Sequence, residues 1–411
     1  MSSVAQPKLM SHTLSEGAPE SVGIATDRLE RIDKVVKEYV DKKWIAGAVG
    51  FIARHGKIVY YKAHGYDDID TQKLMQKEEI CRIASQTKAI TSVAAMILFE
   101  EGKFLLDDPI SKYIPEFANP KVIDQFNEKD STYTVVKAKR EPTIRDLFTH
   151  TSGIGYGFIH PYAKIIYTKA GVPDLYAPGA VLADKMKILA GLPLMNQPGE
   201  KFTYGLSVDM LGYLVELWSG EPLDVYFSKH IFQPLGMKDT YFYLPKEKQG
   251  RLAAVYNETK EGKIEKIAEG AGLNPNYPND PKGSYFSGGG GLSSTVYDYA
   301  VFLQTMLNGG EYNGKRILTR KSVEMMTMNQ IGDLNMGINK FGLGFEVTTD
   351  RETARLGVSA GAFRWGGVFA TNYWADPKEG IIGLFYMQVY PTTHGDVIDK
   401  FKVLTYQAIT E

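Results

Sequence analysis

The β-patterned stretches of this chain stand at its two ends, and helix-patterned segments fill the middle. Residues 46–53 and 57–62 are apolar, β-rich runs joined around His55-Gly56, the pattern of a hairpin. Beyond Phe341 strands are expected again over 344–349, 365–374 and 381–389, the last two closed as a hairpin at Asp376-Pro377-Lys378-Glu379-Gly380. A sheet drawn from both termini makes the intervening chain an insertion. Residues 26–42 place Leu29, Ile32, Val35, Val36 and Tyr39 on one helical stripe, and a last helix does the same with Val397, Phe401, Leu404 and Ala408. The expected class is α+β. An α/β lobe, 20–106 plus 281–411, carries an antiparallel sheet flanked by helices, and an all-helical lobe, 107–280, is inserted after an N-terminal arm, 1–19. Within the insertion, helices are expected over 143–150 and over 207–219, the latter stopped by Gly220.

Composition removes several functions. A net charge of −1 without a Lys/Arg cluster gives nucleic acid no footprint. No apolar run is long enough to span a bilayer. The first twenty residues are polar and lack a signal-peptide core, so a cytoplasmic setting is expected, or a periplasmic or secreted one if a signal has been removed. Cys81 is the single cysteine, which excludes an internal disulfide, and the seven histidines show no metal-ligand spacing. No metal and no cofactor are expected.

Chemistry enters at Arg82-Ile83-Ala84-Ser85-Gln86-Thr87-Lys88, where a helix begins and runs to Gly102. Residues i and i+3 share a helix face, so the Lys88 amine can reach the Ser85 oxygen. A serine hydroxyl becomes a nucleophile when a base lies within hydrogen-bond reach, and a helix N-terminus offers N–H groups to a developing oxyanion. Ser-x-x-Lys by itself also describes an ordinary N-cap followed by a solvated lysine. Tyr204, in the loop Pro198-Gly199 to Ser207 that leads into a helix, is the candidate third proton handler. A phenol serves as a base when a nearby cation favours the phenolate.

Several stretches together resemble the serine β-lactamase and penicillin-binding-protein superfamily, in its class C-like branch. Within that branch the likeness runs to the family VIII carboxylesterases and related acyltransferases. The likeness is carried by the Ser85-Gln86-Thr87-Lys88 turn, Leu105-Leu106-Asp107-Asp108-Pro109-Ile110 and Leu147-Phe148-Thr149-His150-Thr151-Ser152-Gly153. Pro198-Gly199 with Tyr204, Pro234-Leu235-Gly236-Met237 and Gly289-Gly290-Gly291-Leu292-Ser293-Ser294 follow in the same order. The resemblance implies that Ser85 is acylated and that Lys88 and Tyr204 activate first the serine and then water. It also implies that Trp365-Gly366-Gly367 replaces the family's Lys-Thr-Gly, with the backbone N–H groups of Ser85 and Val368 forming the oxyanion site.

Two departures bear on substrate. Trp365 supplies an apolar face and one N–H where the family's lysine holds a carboxylate, and Leu206 stands where an asparagine contacts the β-lactam amide. Both suit a neutral ester with a short acyl chain, and the implied function is a serine carboxylesterase. The alternatives are a β-lactamase or D-alanyl-D-alanine peptidase, an acyltransferase to an alcohol, and an inactive binding homologue. The expected partner is a small-molecule ester, and the oligomeric state is open. Tyr156 and Phe286 are further candidates for the substrate pocket, with Trp365, Gly366, Gly367 and Leu206. A competing Gly357-Val358-Ser359-Ala360-Gly361 pattern is followed by a strand instead of the helix a nucleophile elbow requires, which makes Ser359 a turn residue. His150, at a helix end, is expected to fix its loop through side-chain to backbone bonds.

Overall fold

The computed structural model describes residues 13–268 and 274–411. Part of the N-terminal arm therefore lies outside the described residues. Its described end supplies β1 (Ser15–Glu16) to the main sheet. The other strands are β2 (Gly47–Arg54), β3 (Lys57–Asp68), β4 (Lys73–Leu74), β5 (Lys340–Phe341), β6 (Glu346–Val347), β7 (Phe363–Gly367), β8 (Thr371–Asp376) and β9 (Ile381–Tyr386). Their order is β1-β3-β2-β9-β8-β7-β6-β5, with β4 paired to β3. All pairs are antiparallel except β1 with β3, so the sheet is mixed at that edge.

The centre of the sheet joins the two ends of the chain, since β9 pairs with β2 in the register Leu384↔Phe51. Both strands are buried along their whole length because both faces are covered. Alternation sends Val49, Phe51 and Ala53 into the core shared with α2 (Thr87–Glu100). Ala48 and Ile52 face the opposite core, under α1 (Thr26–Asp41) and the C-terminal helix Asp396–Gln407. Helix α2 is buried on nearly every side: α3 (Ser207–Ser219) packs against it, its apolar residues share one core with Val49, Phe51 and Ala53, and the helix Val296–Leu307 packs on the central strands. Such a position needs apolar residues all round the helix.

Two expectations are corrected. The inserted segment is not all-helical: it contains the antiparallel pairs Lys121–Asn127 with Thr132–Lys137 and Tyr256–Glu258 with Ile264–Lys266. The first pair is mostly exposed, so it lacks the buried apolar face by which a strand is recognised. The strand expected over 365–374 is two strands, β7 and β8, paired Gly367↔Thr371 across a turn in which Ala370 has φ +59°. Phe369 is buried in that turn beside Ala84. An apolar turn carries no compositional mark, and its effect is to leave Val368 at the end of β7.

Candidate active site

Ser85 lies on the turn Ala84–Gln86 that opens α2. Ala84 has φ +43°, a left-handed conformation that L-residues adopt at a cost of about 1–3 kcal/mol, so the surroundings must hold it. They do so from several sides. Ile83 N–H donates to Leu292 O (3.1 Å), Tyr299 Oη donates to Gln86 O (2.8 Å), and Tyr386 Oη donates to Gln86 Oε1 (2.5 Å). Strand β7 closes the turn at Gly367, where a Cβ would stand 2.3 Å from Ile83 O. Only glycine lets that strand approach so closely.

Lys88 follows one helical turn later and is buried. Its Nζ donates to Gly289 O (2.6 Å), Tyr156 Oη (3.0 Å) and Ser85 Oγ (3.2 Å), three acceptors for the three protons of an ammonium. Tyr204 Oη donates to Ser85 Oγ at 2.6 Å, and Trp365 Nε1 lies 3.4 Å from the same phenol oxygen. Lys88 Nζ also stands 4.7 Å from the Tyr204 ring centroid. The structure thus brings Ser85, Lys88, Tyr204 and Trp365 together from three distant parts of the chain. These groups can pass a proton to and from the Ser85 oxygen.

The glycine run fixes the lysine from behind. Asp209, buried on α3, accepts from Ser287 Oγ (2.5 Å) and Gly289 N–H (3.1 Å), and Gly289 presents its carbonyl to Lys88. A Cβ on Gly289 would fall 2.2 Å from Asp209 Oδ2 and 2.9 Å from Tyr156 Oη, so the position has no room for a side chain. Burial raises the Asp209 pKa, with the Lys88 charge opposing. Burial pushes the Tyr156 phenol far up, and the neighbouring Asp209 adds to this, so it remains protonated. Asp209 was missed from sequence. The available signal was a lone carboxylate on the buried side of an apolar helix, five residues after Tyr204.

His150 is fully buried against the Tyr204 ring (centroids 4.8 Å apart), Phe202 and Phe341. Neither ring nitrogen bonds to a group of the described residues. The expected side-chain to backbone bonds are therefore absent. It is the main-chain carbonyl of His150 that accepts Thr203 N–H (2.7 Å), and the ring packs behind Tyr204. Burial, with the Lys88 charge adding, lowers its pKa well below the usual imidazole value.

Ser85 and Tyr204 open into a cavity of about 720 Å³ whose walls include Trp365, Gly366, Gly367, Val368 and Phe158. Three other candidates sit elsewhere. Tyr156 is buried beneath Lys88 and is a partner of the lysine, outside the cavity wall. Leu206 is wholly buried at the start of α3, drawn into the core because its neighbours on that turn are apolar. Phe286 lines a separate cavity with Phe242 and Tyr243. Ser359 lies on a turn before β7, where its N–H donates to Asp376 Oδ2 (3.1 Å). His394 is stacked on Trp44 (4.4 Å), so no Ser-His-Asp triad forms there. Cys81 is buried, and burial raises its thiol pKa. Among the described residues no group of His, Cys, Asp and Glu could hold a metal, and no helix is long and apolar enough to cross a membrane.

This fold, with a serine and lysine one helical turn apart and a tyrosine on the serine oxygen, defines a serine hydrolase of the β-lactamase and penicillin-binding-protein superfamily. Residues 32–407 match the Beta-lactamase family model, and the chain belongs to that family. It is 34% identical over 376 residues to a protein of Mycobacterium tuberculosis (strain ATCC 25618 / H37Rv), covering 87% of this chain and 89% of the relative. Esterase EstB of Burkholderia gladioli is 29% identical, with 85% and 88% covered. Among solved structures, EstCE1, described as a hydrolase with promiscuous acyltransferase activity, superposes with a TM-score of 0.79 at 28% identity. That likeness covers 92% of this chain and 99% of the other.

Proposed function

We propose that the protein is a carboxylesterase acting through a Ser85 acyl-enzyme. Tyr204 and Lys88, both within hydrogen-bond reach of Ser85 Oγ, act as a pair that takes up the Ser85 proton as Oγ bonds to the ester carbon. The tetrahedral oxyanion is held by the N–H groups of Ser85 and Val368, each worth about 3–4 kcal/mol. Collapse breaks the bond to the alcohol, which leaves with the proton from Tyr204. Water then repeats the sequence on the acyl-enzyme.

The observation that carries the ester reading is the wall facing Ser85. Trp365 stands there, and the guanidiniums that reach the cavity, Arg364 and Arg355, are ion-paired to Glu346 and Glu352. A substrate carboxylate, which a β-lactam or a D-alanyl peptide presents, meets no unpaired cation in that wall. The esterase among the relatives supports the same reading. Transfer of the acyl group to an alcohol is a second outcome of the same intermediate, favoured by the acyltransferase activity described for EstCE1. Nitrophenyl esters and a chromogenic cephalosporin, compared at equal enzyme concentration, test the ester reading. The expected result is at least about a hundredfold higher kcat/KM for the ester, and faster cephalosporin turnover refutes it.

A further inference from the structure

The cleft at Ser85 continues in two directions. The larger cavity holds Ser85, Tyr204 and Trp365 and ends among Asn339, Glu346, Glu352, Arg355 and Arg364. A smaller one, about 400 Å³, adjoins it across Phe158 and Val368, the residues that line both. Its further wall includes Leu175, Tyr176, Tyr277 and Tyr390. Asp174 also reaches this wall, but its carboxylate accepts Gly157 N–H (2.8 Å). Tyr176 Oη likewise donates to Asp280 (2.6 Å). Leu175 extends to the nucleophile turn: a Cβ on Gly290 would lie 2.6 Å from Leu175 Cδ1 and 3.9 Å from the Ala84 carbonyl carbon.

Which half of an ester enters which cavity follows from the proton. The departing alkoxide must be protonated by the group beside Ser85 Oγ, and that group, Tyr204, lines the larger cavity and not the smaller. The alcohol half therefore lies in the larger cavity. The acyl carbonyl stays on Ser85 Oγ, which also lines the larger cavity, and its chain takes the other direction, past Val368 into the smaller one.

We propose that the smaller cavity is the acyl site, for apolar acids, and that the far end of the larger cavity takes a polyhydroxylated alcohol. The assignment rests on the esterase reading above. Leucine and tyrosine faces suit a hydrocarbon chain. At about 30 Å³ per water-sized group the space is several times what an acetyl group fills, so it takes a longer chain than the short one expected from sequence. At the other end Glu346 and Glu352 balance Arg355 and Arg364. Such a neutral array of donors and acceptors hydrogen-bonds hydroxyl groups without selecting a formal charge.

The test uses nitrophenyl acetate, hexanoate and octanoate for the acyl half, and ethyl and glyceryl hexanoate for the alcohol half. Wild-type protein is expected to prefer hexanoate to acetate. Leu175→Trp fills the smaller cavity and is expected to lower the hexanoate-to-acetate ratio of kcat/KM about tenfold. Arg355→Ala is expected to lower the glyceryl-to-ethyl ratio about threefold or more and to leave the chain-length order intact. Should Leu175→Trp fail to fold, Tyr390→Ala, which enlarges the same cavity, is expected to move the optimum toward octanoate. Equal losses for all chain lengths in folded Leu175→Trp, or a change in the glyceryl-to-ethyl ratio instead, would overturn the assignment. Wild-type protein that cleaves the cephalosporin and none of these esters would instead refute the esterase reading.

Discussion

Ser85 and Ser359 both sit in short patterns associated with serine hydrolases, each on a turn beside the sheet, and they end in opposite environments. Ser85 Oγ receives Tyr204 and Lys88 and faces a cavity. Ser359 is held by its backbone: its N–H donates to Asp376, and its carbonyl accepts Thr348 Oγ1 (2.6 Å). The carboxylate that a triad would need at Ser359 also accepts Tyr406 Oη (2.7 Å) and so pins the turn to the C-terminal helix. A nucleophile is made by the groups that distant chain segments deliver to a hydroxyl. A motif supplies only the hydroxyl.

The sharpest way to break this contrast is to remove each hydroxyl. Ser85→Ala is expected to lower ester kcat about 10⁴-fold or more, whereas Ser359→Ala stays within about twofold because its hydroxyl serves no step. Mass mapping of a phosphonate adduct on the wild-type protein checks the same point, and label on Ser359 would reverse it.

A smaller effect is expected one shell further out. Gly289→Ala forces a methyl against Asp209 Oδ2 and Tyr156 Oη, which displaces the carbonyl that holds Lys88. Displacements near 1 Å cost about a hundredfold in rate, so kcat should fall by that order while KM changes little. An unchanged kcat would show that the glycine run does not position the lysine.

The smallest effect is on stability. His150 has its folded pKa depressed, so below the unfolded value of about 6.5 the unfolded chain takes up a proton that the native chain refuses. Its contribution is fully present above that pH and is lost at about 1.4 kcal/mol per unit as pH falls further. His150→Asn keeps a residue tolerant of φ +55° and cannot titrate. Its urea midpoint should therefore fall less steeply than that of wild type between pH 7 and pH 5. Parallel slopes would mean that His150 is protonated in the native state.

Local pattern made much of the fold legible. The two-ended sheet, the helix after Ser85 and the helix after Tyr204 show in periodicity and stop signals, which act within a few residues. The misread parts share a cause. The exposed hairpin at 121–137 has little buried pattern, and the turn at Val368 to Ala370 is apolar, so neither carries the polar or glycine punctuation that marks such features. Leu206, expected in the pocket because it stands in the place of the family's asparagine, belongs to the core, and Phe286, a further pocket candidate, lines a second cavity.

The sequence by itself determined that Ser85 and Lys88 share one face of a helix start, since i and i+3 spacing places them there whatever the helix packs against. It also carried Tyr204, Trp365 and Val368 as candidates. Tertiary structure decided the rest: the 2.6 Å approach of Tyr204 to Ser85, the Asp209-to-Gly289 brace beneath Lys88, and the division of the cleft at Val368. Each of these joins segments scores of residues apart in the chain. Their meeting depends on which faces the sheet and α2 bury together, and no local spacing encodes that.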